Sequence, residues 1–243
     1  MRVMGKQDNI FEKGNLSGLP FTFNKEVTEV FEDMINRSVP GYKTSLSLIS
    51  HYAKRYYQKE TNCYDLGCSL GASSWSILNN VKDVKLIAID NSEAMINECM
   101  DRFKKSSKYQ SVMFIQEDIM DSNMRNASFI AVNYLVQFLD FTQRDKLFEK
   151  MYEALLPGGI LLISEKVHYK NKYQSKRIFN AHHKFKSANG YSDLEISGKR
   201  DSLEGVLLTE YEEDHFLRAS KAGFKKAEKV LSNLNFRTFV FFK

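Results

Sequence analysis

The stretch Tyr64-Asp65-Leu66-Gly67-Cys68-Ser69-Leu70-Gly71 decides the fold. An apolar lead-in, an acid and two glycines four residues apart read as a turn between a buried strand and a helix, where α/β proteins hold nucleotides. Glycine at 67 and 71 lets the backbone pass close beneath a bulky ligand, because no Cβ stands in the way. A dinucleotide site would want a third glycine in the G-x-G-x-x-G spacing, with a pyrophosphate on the helix N-terminus. Ser69 takes that middle position instead. Asp65, two positions before the first glycine, would repel a pyrophosphate and favour a ligand that carries an ammonium group.

Strands and helices alternate on both sides of this turn. Upstream, residues 24–37 place Val27, Val30, Phe31, Met34 and Ile35 on one helical face capped by Asn24, and a second helix covers 43–57. Downstream come a helix near 71–80, a strand at 84–90, a helix at 92–105 capped by Ser92, and a third strand at 111–119. A fourth strand lies within 128–139, then a helix that ends at "LPGG", then a fifth strand at 160–166. Such alternation predicts a parallel sheet covered on both faces. A helix over 209–224 stopped by Gly223, and two strands joined near 232–235, close the chain. A terminal β-hairpin at the edge of a parallel sheet is the arrangement of Class I S-adenosylmethionine-dependent methyltransferases. The expected fold is therefore α/β, Rossmann-like, with a mostly parallel seven-stranded sheet. It carries N-terminal helices at about 24–57 and a helical insertion after strand five at about 167–208. The insertion is far longer than the usual connection and would overhang the carboxyl ends of the strands. One S-adenosylmethionine-binding domain over 1–243 is expected.

At 243 residues, with 43% hydrophobic and 27% charged residues, the composition is that of an ordinary globular chain. "MRVMGKQDNIFEKG" lacks the apolar core of a signal peptide, and the longest apolar runs are too short and polar to span a bilayer. A cytoplasmic location and no membrane partner are expected. The net charge of +5 raises the question of RNA, but the lysines are scattered rather than gathered into one arm or helix. Cys63, Cys68 and Cys99 have neither pairing arithmetic nor zinc spacing and read as packing. Trp75, the single tryptophan, reads as core.

The predicted strand ends carry the ligand chemistry. Asp90 ends the second strand, where a carboxylate can accept both ribose hydroxyls. Asp118 ends the third, suited to an adenine amino group, with Ile119 as an apolar wall beside the ring. Asn133, near the end of the fourth, can reach a methionine moiety. With the turn, these point to S-adenosyl-L-methionine. The Asn/Asp-Pro-Pro-aromatic signature of amino-nitrogen methylation is absent, since the fourth strand continues "NYLVQFL". His182, His183 and Lys184 form a trio that either binds an anion or supports its helix. Without a third ligand at metal spacing, no metal is expected.

Longer blocks are more specific. "FTFNKEVTEVFEDMINRSVPGY", "YDLGCSLGASS", "IAIDNSEAMI", "LPGGILLISEK", "HHKFKSANGYSDLEISGKR" and "SLEGVLLTE" occur in one order. Together they closely resemble the carboxy-S-adenosyl-L-methionine synthase family of bacterial tRNA wobble-uridine modification, from about Phe21 to the C-terminus. The resemblance implies a reaction of S-adenosyl-L-methionine with prephenate that yields carboxy-S-adenosyl-L-methionine and phenylpyruvate. It implies cofactor contacts at Tyr42, Gly67, Cys68, Ser69, Asp90, Asn91, Asp118, Ile119, Asn133 and Arg200. Of these, Arg200 would act as the bidentate donor to the new carboxylate and Tyr42 as a hydroxyl donor. It also implies a homodimer whose product passes to a tRNA carboxymethyltransferase, with no direct contact to nucleic acid. The residues alone leave open a methyltransferase acting on a small molecule or tRNA, and a cofactor-binding protein without catalysis.

Overall fold

β4 (Ala127–Asn133) is buried almost throughout, as a central parallel strand must be when helices cover both faces. The computed structural model describes residues 6–12 and 19–243, so the N-terminal stretch read for leader character lies partly outside the described residues. Before β4 come α1 (Lys25–Ser38), α2 (Tyr42–Tyr56), β1 (Asn62–Leu66), α3 (Ala72–Leu78), β2 (Lys85–Asp90), α4 (Glu93–Lys104) and β3 (Val112–Gln116). After it come α5 (Phe141–Ala154), β5 (Leu155–His168), α6 (Lys172–Ala188), α7 (Asp193–Ser202) and β6 (Glu210–Tyr211). α8 (Glu212–Ala222), β7 (Lys226–Asn233) and β8 (Phe236–Phe242) complete the order.

The main sheet runs β3-β2-β1-β4-β5-β8-β7. Its pairings from β3 to β5 are parallel, and the β7–β8 hairpin joins antiparallel through β8. The seven strands expected are all there, and an eighth, β6, pairs with the end of β5. A buried ion pair network pins it: Glu210 meets Arg144 and Arg218, each at 2.6 Å.

Two boundaries depart from the sequence expectation. β3 stops at Gln116, so Asp118 does not end a strand. Its Oδ1 accepts the Met120 N–H at 2.8 Å, a local turn that competes with the ladder. β5 starts at Leu155, and the "PGG" segment stays within it as an irregularity, with pairing jumping from Ala127–Leu155 to Phe129–Ile160.

Alternate β4 residues serve opposite faces. Ile130 and Val132 pack with Leu147, Phe148 and Met151 of α5, while Phe129 and Ala131 face Ile49, Ile77 and Phe103. Each large apolar side chain so buried contributes on the order of 2 kcal/mol. α1 is capped as its sequence predicts, with Asn24 Oδ1 accepting the Val27 N–H at 3.0 Å. Its Val27, Val30 and Met34 lie over the glycine turn, against Leu70 and Met95.

Candidate functional site

Between β1 and β4 the sheet order reverses direction, and the turn after β1 opens there onto a cavity of about 1780 Å³. The turn is held by backbone bonds from Gly67 N and Cys68 N to Ile89 O, at 2.8 and 3.0 Å. Gly67, Ser69 and Gly71 have φ of +67°, +50° and +78°. The glycines answer to the chain's own packing. A Cβ on Gly67 would lie 2.9 Å from Leu135 Cδ1, and one on Gly71 would lie 2.6 Å from Phe103 Cε2.

Asp90 ties the turn to the next strand. Its Oδ2 accepts the Ser69 N–H and its Oδ1 the Ser92 N–H, both at 2.9 Å, while burial pushes its carboxyl above the usual range. Asp65 is fully buried behind the turn and does not line the cavity. Its Oδ2 accepts the Ser74 hydroxyl at 2.6 Å, its Oδ1 has no partner among the described residues, and burial lifts it to about 7. The Cys68 thiol is held well above its ordinary value by its neighbour Cys99 and by burial, which disfavours the thiolate a nucleophile would need.

Of the residues singled out in the sequence, Tyr42, Gly67, Cys68 and Ser69 share the cavity wall with Asp90, Asn91, Asn133 and Arg200. Asp118 and Ile119 stand outside it, on the loop after β3, with Ile119 in the core. Asn133 Oδ1 is buried without a partner among the described residues, an acceptor left for a ligand's donor. The asymmetry of this region, with carboxylate and amide oxygens at the strand ends, fits a ligand with hydroxyls, an amine and positive charge.

The insertion also lines the cavity. α6 brings His182 and Lys186, α7 brings Lys199 and Arg200, and Lys166 rises from the end of β5. His182 Nε2 sits 2.8 Å from Ser38 O, so it donates there, and burial lowers its pKa to about 3; it is a neutral structural group. His183 reaches Asp193 at 2.8 Å. Lys184 is outside the wall. Arg200 is half exposed and donates through Nε and Nη2 to Asp201 Oδ1, each at 3.2 Å. Its guanidinium is therefore not enclosed by the fold. Trp75 stacks on Phe103 with ring centres 4.1 Å apart.

Tyr134, Lys166, Lys186 and Phe236 were not anticipated. Tyr42, Tyr134 and Phe236 form one aromatic cluster, with Tyr134 lying 6.3 Å from Tyr42 and 5.9 Å from Phe236 between ring centres. Lys166 stood at a predicted strand end, the same signal that singled out Asp90; Lys186 and Phe236 carry no such signal.

The profile of the family described as Methyltransferase domain matches residues 64–159. A carboxy-S-adenosyl-L-methionine synthase of Citrobacter koseri is 43% identical over 242 residues, 99% of this chain and 98% of that one. Its counterpart in Klebsiella pneumoniae is 43% identical over 239 residues, 98% of this chain and 97% of the relative. Among solved structures, a proposed S-adenosyl-L-methionine-dependent methyltransferase of Methanococcus maripaludis superposes with a TM-score of 0.61 at 17% identity, over 94% of this chain and 97% of that one. Human N-acetylserotonin methyltransferase gives a TM-score of 0.60 at 13% identity, over 90% of this chain and 55% of that one. At such identities these two establish the fold alone, a Rossmann-like Class I methyltransferase fold. The chain itself belongs to the carboxy-S-adenosyl-L-methionine synthase family.

Proposed function

We propose that this protein transfers a carboxyl group from prephenate to the methyl carbon of S-adenosyl-L-methionine, giving carboxy-S-adenosyl-L-methionine, phenylpyruvate and water. Membership of the family makes it an enzyme of this kind, with S-adenosyl-L-methionine as the molecule it modifies. The observation that carries the finer reading is that one cavity wall holds both the oxygen acceptors of Asp90 and Asn133 and the cations Lys166, Lys186 and Arg200. Prephenate gives up a carboxylate as carbon dioxide and its ring hydroxyl as hydroxide. The methyl group loses one proton, which the hydroxide takes, and the new carbon–carbon bond forms to the carbon dioxide.

The chain's residues bind, orient and exclude water. Asp90 and Asn91 hold the ribose end, and the Gly67-Cys68-Ser69 turn with Asn133 holds the amino-acid end. Burial raises the Tyr42 hydroxyl above its ordinary value, and the Asp65 charge adds to this, so Tyr42 acts as a protonated donor. Arg200 exchanges Asp201 for the new carboxylate. An exposed pair of that sort is worth little, at most about 1 kcal/mol, so a bidentate contact to a less hydrated carboxylate prevails.

The product then serves a tRNA carboxymethyltransferase in wobble-uridine (uridine 5-oxyacetic acid) modification, so this protein need not bind RNA. Cytoplasmic placement accords with the finding that no helix among the described residues is long and apolar enough to cross a membrane. A homodimer accords with α6, a 17-residue helix with no buried residue, on which Tyr173 is 73% and Phe179 50% exposed.

The deciding experiment incubates the purified protein with S-adenosyl-L-methionine, with and without prephenate, and follows the cofactor by mass spectrometry. A species heavier by one carboxyl group, formed only with prephenate, is the expected product. S-adenosylhomocysteine together with a methylated small molecule or tRNA would replace this reading with methyl transfer. If neither product forms, the protein binds the cofactor without catalysis.

A further inference from the structure

We propose that Lys166 and Lys186 form a cationic subsite for a small dianionic carboxylate, next to Arg200 and separate from the groups that hold the cofactor's ribose and amino-acid ends. This rests on the function proposed above, and it assigns residues to the second substrate.

Three observations lead to it. First, the cavity of about 1780 Å³ exceeds the roughly 300–1,000 Å³ of a single small-molecule pocket, which leaves room for a second ligand. Second, Lys166 at the end of β5 and Lys186 in the last turn of α6 both line it, and neither ammonium has a hydrogen-bond or ion-pair partner among the described residues. Lys199 of α7 differs. Lys199 Nζ donates to Ser38 Oγ at 3.0 Å and lies 4.0 Å from Asp8 Oδ2, so it is committed to holding α7 against α1 and the N-terminal segment. Third, the cations crowd one another. Burial, with the nearby charges of Lys166 and Arg200, lowers Lys186 to about 8, and burial also lowers Lys166.

The wall's carboxylates do not relieve this repulsion. Asp33 pairs with Arg37 at 3.1 Å, Glu32 with Arg102 at 3.2 Å, and Asp90 with two backbone N–H groups. Glu204, beyond α7, forms no ion pair with either lysine. Uncompensated cations in a partly desolvated wall are unfavourable until an anion arrives. Two ammonium groups and a guanidinium face the ligand's two carboxylates, one of which leaves as carbon dioxide and reappears on the cofactor beside Arg200. Phe236, edge-on to His182 at 5.1 Å, supplies an apolar face on the same wall for a carbocyclic ring.

The test is steady-state kinetics with prephenate at saturating S-adenosyl-L-methionine, on the wild type and on Lys166→Gln, Lys186→Gln and Lys186→Arg. Calorimetric binding of S-adenosyl-L-methionine alone serves as the control for folding. Loss of a hydrogen bond to a charged group should raise the KM for prephenate about ten- to a hundredfold in each Gln variant. Lys186→Arg should keep most of the affinity, and cofactor binding should not change. If the wild type turns over and the Gln variants keep its KM, the subsite is refuted while the proposed function stands. A parallel loss of cofactor affinity would mean a structural role and would equally overturn it. If the wild type itself makes no carboxylated product from prephenate, the proposed function fails first and the subsite with it.

Discussion

Asp90 accepts the backbone N–H of Ser69 at 2.9 Å, and that bond fastens the turn after β1 to the end of β2. The other carboxylate oxygen fastens the start of α4 through Ser92 N. A single side chain thus sets the spacing of the two loops between which a nucleoside would lie.

Asp90→Asn keeps the shape but leaves one of the two N–H groups facing an amide NH2. An unpaired, partly buried donor costs about 1–3 kcal/mol. The variant should melt earlier, and its affinity for S-adenosyl-L-methionine should fall at least about tenfold by calorimetry. Wild-type affinity would remove Asp90 from the cofactor site.

Arg200→Ala should separate the two forms of the cofactor. The guanidinium faces only Asp201 at present, so S-adenosyl-L-methionine should bind the variant nearly as well as the wild type. The carboxylated product should bind about ten- to a hundredfold more weakly, the cost of losing a bidentate charged contact. Equal losses for both ligands would rule out Arg200 as the carboxylate's partner.

Gly71→Ala tests the packing account of the turn. The new methyl would meet Phe103 Cε2 at 2.6 Å and Cys99 Sγ at 2.7 Å, both on fully buried side chains, at a φ of +78°. Strain and overpacking together should destabilise the protein by about 2 kcal/mol or more in chemical denaturation. A change within a few tenths would mean that the glycine serves only the ligand.

His215 should make the fold sensitive to acid. Its ring stacks on Phe239 with centres 5.4 Å apart, and neither ring nitrogen has a partner among the described residues. Burial lowers it to about 4; Glu210 and Asp214 pull it up while Arg218 and Arg144 push it down. Between its unfolded value of about 6.5 and this folded value, the unfolded chain binds the proton and the native state does not. Stability from this group is therefore full above about pH 6.5 and falls as pH drops, by on the order of 2 kcal/mol at pH 5. Asp65 and Glu165, raised by burial to about 7 and about 8, act with the opposite slope, so the readout is the difference between proteins. His215→Leu should lose less melting temperature than the wild type between about pH 7.5 and pH 5. An identical drop in both would show that His215 does not titrate on unfolding.

Much of the fold was legible because its signals are local. Asn24 and Ser92 cap α1 and α4 as their positions predict, and Gly223 ends α8 with a φ of +113°. β6 was not legible, since a two-residue strand has no periodicity. It exists because Glu210 finds Arg144 and Arg218, residues remote from it or on the next helix. The end of β3 was misread because Ile119 offers one more apolar residue after the strand, while the Asp118 side chain accepts the Met120 N–H in a local turn beyond Gln116.

By itself the sequence determined the sheet, the turn and the family, since strand period, caps and glycine spacing are properties of neighbouring residues. It also placed Asp90 and Asn133 at strand ends, which in a parallel sheet all open on one side. Only the tertiary structure decided what the glycines of "YDLGCSLG" make room for: Leu135 and Phe103, distant residues whose side chains fill the space a Cβ would need. It likewise decided that Lys166 and Lys186 meet in one wall, because the charges of residues on separate elements come together only when the insertion folds back over the sheet.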